Sequence, residues 1–222
     1  ACALSKLGVH TEFVGCLGDD EFGKEFINLF RDLGVNIQST QVDKNCSTRI
    51  IKVCINDEGD RSFAGFVNSQ KNFADEMLDR KVFESDKASL QNLFKEAKYF
   101  VMGTNLLASD KSFAALLLLI DYASKSNVRI VIDANWRGIF WDNLNKSSKL
   151  QRIDNINKIK KFLSKGDVLK LSYEEAILFF GNNNPFQISQ SLLKKPDVII
   201  TNGDKLISWF INGFQDTTQV LK

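Results

Sequence analysis

From about residue 86 onward, the apolar positions of the chain change period in regular alternation. Residues 86–97, 110–125, 150–163, 173–180 and 187–195 repeat apolar side chains every three to four positions and predict helices. Between them, 99–103, 128–133, 167–171 and 197–201 are short apolar runs of strand length, followed by two weaker β runs, 207–211 and 220 onward. Apolar strands alternating with helices predict an α/β fold whose parallel sheet is covered on both faces. "GNNNP", 181–185, reads as a helix stop and a loop.

The first third has a different rhythm. "ACALSKLG" reads as a helix already in progress that closes at Gly8, and 11–16 as a short strand. Gly18-Asp19-Asp20 is a turn, with Asp20 the N-cap of a helix whose stripe is Phe22, Phe26, Leu29 and Phe30, stopped at Gly34. Three β runs follow between 35 and 67, two of them ("STRIIKVCIND" and "DRSFAGFV") around a hairpin at Asp57-Glu58-Gly59-Asp60. Together they predict a small sheet added to a larger body. Phe63 and Phe66 lie on it at a spacing that breaks strict alternation, so one of them faces inward.

In a parallel sheet, ligands bind outside the carboxyl ends of the strands. Four polar clusters directly follow an apolar strand: Gly103-Thr104-Asn105, Asp133-Asn135-Arg137, Lys170-Ser172-Glu175 and Thr201-Asn202-Gly203-Asp204. Arg137 offers a planar fork of donors for phosphate or vicinal hydroxyls, and Asn135 offers a donor and an acceptor. The same residues also read as an ordinary capped loop, with Arg137 paired to Asp133 or Asp142. Thr201 to Asp204 reads either as a phosphate-binding glycine turn or as a hairpin turn. Glu175 lies in the first turn of its helix, where the dipole favours a carboxylate. His10, Trp136 and Trp141 read as packing or surface residues.

Composition narrows the classes. The 222 residues are 44% hydrophobic and 25% charged, enough for one sizeable core. The net charge of +2 offers no electrostatic footprint for nucleic acid or an anionic membrane, and the apolar run 113–120 is too short to cross a bilayer. Four scattered cysteines and one histidine suit a reduced cytoplasmic protein better than a disulfide or zinc scaffold. Neither a Walker motif nor a dinucleotide G-x-G-x-x-G is present. Nothing before Ala1 supplies the strand that the opening half-helix needs, so the chain is expected to be an internal fragment.

The ordered set of motifs resembles the pfkB family of carbohydrate kinases, with the ribokinase-like fold. "ACALSKLGVHTEFVGCLGDDEFGKEFINLFRDLGV" is similar to the family's first block, and "CSTRIIKVCINDEGDRSFAGF" followed by "ADEML" to its β lid. "VIDANWRGIFWDN" resembles the fructokinase D-x-N-x-R element, "DVLKLSYEEAILFFG" the K-x-[NS]-x-x-E helix start, and "VIITNGDKLISWFINGF" the T-x-G-x-x-G nucleotide turn. The likeness implies one kinase domain over 1–222, a three-layer α/β sandwich with a β lid at about 35–68.

It further implies ATP, Mg2+ and a monovalent cation as cofactors, and phosphorylation of a sugar hydroxyl, fructose first. Sugar contacts would be Asn135, Arg137, Thr104 and Asn105, with Phe66 from the lid. Ser172, Glu175, Thr201 and Gly203 would serve the nucleotide, with Glu175 near the metal. A homodimer through the lid is a further implication. The family's opening G-G-x-x-x-N is expected before Ala1, and its G-A-G-D, which carries the catalytic Asp, beyond Lys222. No catalytic base is thus assigned within the chain, and the fragment itself is expected to be inactive. "DTTQ", 216–219, imitates the approach to G-A-G-D but has Gln219 where the glycine belongs. Leu206 replaces the last glycine of the nucleotide turn, and Ser172 the commoner Asn. The alternatives are a kinase for ribose, a nucleoside or 2-keto-3-deoxygluconate, and a non-catalytic fructokinase-like regulatory or scaffold protein.

Overall fold

The computed structural model describes residues 1–57, 61–67, 72–141 and 149–220, and the chain divides into two compact units. The first comprises Ala1–Ser85 and Ser109–Leu116, the second Asp86–Ala108 and Leu117–Lys222.

The first unit opens with a short helix α1 (Cys2–Lys6) and then a βαβ segment: β1 (Gly15–Gly18), α2 (Glu21–Asp32) and β2 (Thr40–Asp43), with β1 and β2 parallel. The expected strand at 11–16 starts later. Its first half makes a single bridge, Glu12 to Asn36, while Gly18 is the last strand residue rather than part of a turn. Asp20 caps α2 as the sequence predicts, accepting the Gly23 amide at 2.8 Å. At the other end the Gly34 amide donates to Arg31 O and the Val35 amide to Phe30 O, a double closure that seats Val35 on Phe30 in the core.

The buried line of α2 is not the stripe read from sequence. Gly23, Ile27 and Phe30 face Leu17, Phe13 and Val35, whereas Phe22, Phe26 and Leu29 are each more than 40% exposed. Gly23 explains the rotation. A Cβ there would lie 2.0 Å from the Gly18 carbonyl, so the helix approaches β1 through the one position without a side chain.

The hairpin is β3 (Ile51–Ile55) against β4 (Arg61–Phe66); Glu58, Gly59 and Asp60, the rest of its expected turn, lie outside the described residues. The third β run does not join it, since β2 pairs with β1. A bulge separates the pairs Lys52–Gly65 and Val53–Phe63, with Gly65 at φ 117°. That extra residue resolves the spacing of the two phenylalanines. Phe66 opposes Ile51 and Phe63 opposes Val53, so both share one face with Ile51, Val53 and Ile55. The hairpin's stem is pinned by a Ser47–Phe73 bridge and by Arg49. The Arg49 guanidinium lies over the rings of Phe66 (4.7 Å) and Phe73 (4.1 Å) and pairs with Asp75 (3.0 Å) and Glu76 (2.7 Å). A 3-10 turn (Ala74–Met77) and α3 (Arg80–Ser85) complete the stretch.

The second unit is the predicted alternation. Helix α4 (Lys87–Glu96), β5 (Tyr99–Met102), α5 (Asp110–Lys125, from Leu117 onward in this unit), β6 (Arg129–Asp133), α6 (Lys149–Leu163), β7 (Val168–Ser172), α7 (Tyr173–Phe180), α8 (Pro185–Ser191), β8 (Asp197–Thr201), β9 (Ile207–Ile211) and β10 (Phe214–Thr218) follow in order. The sheet runs β10-β9-β8-β7-β6-β5; the four strands β5 to β8 are parallel and the last two antiparallel. Register pairs Ile132 with Leu169, Leu169 with Val198 and Leu171 with Ile200. These, with Ile130, form one face that is at most 2% exposed, and Phe162, Leu163 and Phe179 on the helices of this unit are buried as well.

Two elements shift from the sequence reading. Helix α8 starts at Pro185, capped by Asn184 through the Gln187 amide, and ends at Ser191, ahead of an extended Leu192. The last described β run is Phe214–Thr218, which the sequence reading lacks, so "DTTQ" falls on strand β10 and its end; the run expected from 220 onward lies, past Val220, outside the described residues. Among the described residues no helix is long and apolar enough to cross a membrane.

Candidate active site

The carboxyl ends of β5, β6, β7 and β8 all meet one edge of the second unit's sheet, because these strands are parallel and adjacent. That edge receives Thr104 and Asn105 after β5, Asn135 and Arg137 after β6, Ser172 closing β7, and Thr201 closing β8 with Gly203 beyond it. Ser172 and Thr201 are direct register partners. Phe66 belongs to the first unit and sits on Arg49 and Phe73 as described.

The loop after β6 is gripped from both sides. On the β5 side, the Thr104 hydroxyl donates to Ala134 O at 2.5 Å, and Thr104 is fully buried. This hydroxyl, expected near a sugar, is engaged in bracing the loop. On the β7 side, the Ala134 amide donates to Lys170 O at 2.9 Å and the Trp136 amide to Glu175 Oε1 at 2.7 Å. Between these anchors Asn135 is held at φ 36°, a left-handed value that Asn tolerates better than most side chains.

Glu175 is 6% exposed and uses both carboxylate oxygens on backbone amides. Oε1 takes Trp136, while Oε2 takes Ser172 at 2.8 Å; the Ser172 hydroxyl in turn accepts the Glu175 amide at 3.2 Å. The Ser-x-x-Glu spacing forms a reciprocal capping box at the start of α7. Glu175, read from sequence as a helix-dipole residue, thus has a second partner in the loop after β6.

Asp133 is paired with Lys170 across the register at 3.1 Å. Asp142, the other partner considered for Arg137, lies outside the described residues. After β8, the Lys205 amide donates to Asn202 O and Gly203 has φ 57°, so Asn202-Gly203 makes the turn into antiparallel β9. The Thr201 hydroxyl donates to Leu171 O at 3.4 Å, and Leu206 is 52% exposed just past the turn.

Among the described residues, three buried polar atoms following β5 and β6 have no hydrogen-bond partner: Asn105 Oδ1, Trp136 Nε1 and Trp141 Nε1. Leaving such a group unmet costs about 1–3 kcal/mol, a cost that a polar ligand or an ordered water at these atoms would remove. Trp136 was read as filler, and its ring does pack edge-on to Phe179 at 6.3 Å. Its main-chain amide carries a role that residue type alone does not reveal. The capping-box spacing was the visible signal at Glu175; its reach to Trp136 was not visible.

The pattern of the pfkB family carbohydrate kinases matches residues 1–220. The chain is 28% identical over 218 residues to "Probable fructokinase-5" of Arabidopsis thaliana and 27% identical over 220 residues to fructokinase-2 of Solanum lycopersicum. These alignments cover 97% and 98% of this chain but 62% of each relative, so the chain spans about six tenths of their length. Among solved structures, fructokinase from Xylella fastidiosa with bound ATP superposes at a TM-score of 0.78, with 22% identity, over 97% of this chain and 64% of that one. The fold is therefore ribokinase-like. The chain belongs to the pfkB family of carbohydrate kinases.

Proposed function

We propose that the protein to which these residues belong transfers the γ-phosphoryl group of ATP to a hydroxyl of a sugar, fructose first among the acceptors. The observation that carries this is the single sheet edge on which Asn105, Asn135, Arg137, Ser172 and Thr201 gather, with buried, unmet polar atoms at Asn105 and Trp136. Asn135 and Arg137 read as hydroxyl contacts, with Asn105 beside them and Thr104 behind as their brace. Ser172, Thr201 and the Gly203 turn read as the nucleotide side.

Such transfer depends on positioning and charge stabilisation more than on covalent chemistry. Both Glu175 oxygens are engaged with amides, and among the described residues no three His, Cys, Asp or Glu side chains converge. These residues fit Mg2+ carried by the nucleotide phosphates, with Glu175 near it at most indirectly, rather than a protein cage. A monovalent cation remains part of the proposal. The hairpin, as the described part of a lid at about 35–68, carries Phe66 as the lid's own ligand contact. Its apolar face, with Val53 and Ile55 exposed, suits a second copy of the chain. Four unpaired cysteines suit a reducing, cytoplasmic setting.

The proton acceptor of the reaction, which the family carries in G-A-G-D, is not among these 222 residues. We therefore expect them not to turn over alone. The test is a coupled ADP-release assay with ATP and Mg2+, on these residues and on the full-length gene product. The acceptors are fructose, ribose, adenosine and 2-keto-3-deoxygluconate. Turnover by the full-length product with fructose preferred supports the reading; preference for another acceptor reassigns the substrate. No turnover with any acceptor favours a non-catalytic scaffold, the reading that exposed Leu206 in place of a turn glycine supports.

A further inference from the structure

The loop after β6 and the start of α7 are joined by one carboxylate, and the sequence places the proposed sugar contacts on the loop and the proposed nucleotide contacts at the helix start. Glu175 Oε1 holds the Trp136 amide and Oε2 the Ser172 amide, 2.7 and 2.8 Å away, in a setting only 6% exposed. Ser172 ends β7 in register with Thr201. On the opposite side of the same loop, Thr104 holds Ala134 O. The two anchors flank Asn135, whose φ of 36° is a left-handed backbone state that is strained for most side chains and that the anchors hold in place.

We infer that Glu175 is a positioning residue for the sugar loop, with Thr104 as its counterpart: together they hold Asn135 and Arg137 in register with the Ser172–Thr201 edge. This rests on the sugar-kinase reading and deepens it, assigning to Glu175 the acceptor side of the reaction as well as the phosphate side. A carboxylate shortened by one methylene keeps its charge and can still cap α7, but cannot also span to Trp136. Charge and reach can therefore be separated.

The test uses the full-length gene product, with fructose and Mg–ATP as probes. Glu175→Asp should speed hydrogen exchange at the Trp136 amide and raise the fructose KM about tenfold or more. The Mg2+ concentration for half-maximal rate should stay within twofold. Thr104→Val should raise the fructose KM in the same way, and Thr104→Ser should restore it. The idea is overturned if Glu175→Asp shifts the Mg2+ requirement and leaves the fructose KM in place, since Glu175 then serves the metal–phosphate side only. It is equally overturned if the Trp136 amide exchanges no faster. A wild type that phosphorylates none of the sugars tested removes the kinase reading and this one with it. A working wild type with an unmoved KM in both Glu175→Asp and Thr104→Val removes this one alone.

Discussion

Glu175 and Trp136 are 39 positions apart, yet the carboxylate of one accepts the main-chain amide of the other at 2.7 Å. One buried side chain thus satisfies donors on two neighbouring segments, because its second oxygen caps its own helix through Ser172. Replacing Glu175 by Ala should strand both amides and cost about 2–4 kcal/mol, from the loss of two charge-assisted hydrogen bonds. Urea denaturation followed by tryptophan fluorescence measures it; a change below about 0.5 kcal/mol would mean that water replaces the carboxylate freely.

Asp20 plays a comparable part in the first unit. Its carboxylate accepts the Gly23 amide at 2.8 Å and the Thr48 amide at 2.7 Å, tying the start of α2 to the segment that leads into the hairpin. Burial pushes its pKa up, but the amides of Gly23 and Thr48, the Thr48 hydroxyl and Lys24 together hold it below the ordinary carboxylate value. Asp43 is likewise held low, by the Asn45 amide first, and Asp79 by the Lys81 amide first. A carboxyl depressed in the folded state adds stability that is complete above its unfolded value and is lost as pH falls through the folded one. Stability should therefore fall below about pH 4. Asp20→Asn should lower stability at pH 7 by about 1 kcal/mol and reduce the difference between pH 7 and pH 3. Equal pH dependence in variant and wild type would contradict this.

Arg49 makes the opposite kind of case. Its side chain is 9% exposed, stacked on two rings and paired with Asp75 and Glu76. Burial pushes the Asp75 pKa up, and the guanidinium only partly offsets that. Arg49→Met should cost about 3 kcal/mol by stranding two carboxylates. A carboxyl raised in the folded state binds its proton more tightly there than when unfolded. Stability therefore rises as pH drops through the folded value, and without the guanidinium that window widens. The variant should thus recover part of its loss between pH 7 and pH 5, read from urea midpoints. A loss that grows over that interval would show that Asp75 is not what Arg49 neutralises.

The cysteines should label in a fixed order. Burial, with Asp43 adding to it, raises the Cys16 thiol to about 11, whereas Cys54 is exposed. At pH 8 about a thousandth of Cys16 would be thiolate, and the thiolate is the reactive form. Iodoacetamide followed by peptide mass spectrometry should find Cys54 modified well before Cys16. The reverse order would place Cys16 at the surface.

Most of the second unit was readable in advance because each β strand there carries its own apolar run, and parallel strands need intervening helices. The strand at Phe214 was missed although its signal was present: Asn212-Gly213, both at positive φ, is a two-residue hairpin turn that puts a strand there. Helix α2 was located but rotated, since periodicity finds an apolar stripe and cannot see that Gly23 decides which side approaches β1. In the hairpin, the bulge at Gly65 carries Phe63 and Phe66 to one face, which a period of two does not anticipate. At the candidate site, the polar clusters were legible as strand endings. The long-range bonds from Thr104 and Glu175 were not, because they depend on register between strands far apart in sequence.

The central claim is that Asn135 and Arg137 bind sugar at the carboxyl edge of the sheet, and Arg137→Ala in the full-length gene product tests it most directly. The account predicts a fructose KM raised about tenfold or more, a loss of roughly 1.4 kcal/mol of binding, with the melting temperature within about 2 °C of wild type. A melting temperature that falls by several degrees while the KM stays in place would contradict it, and would make Arg137 a structural member of an ordinary capped loop.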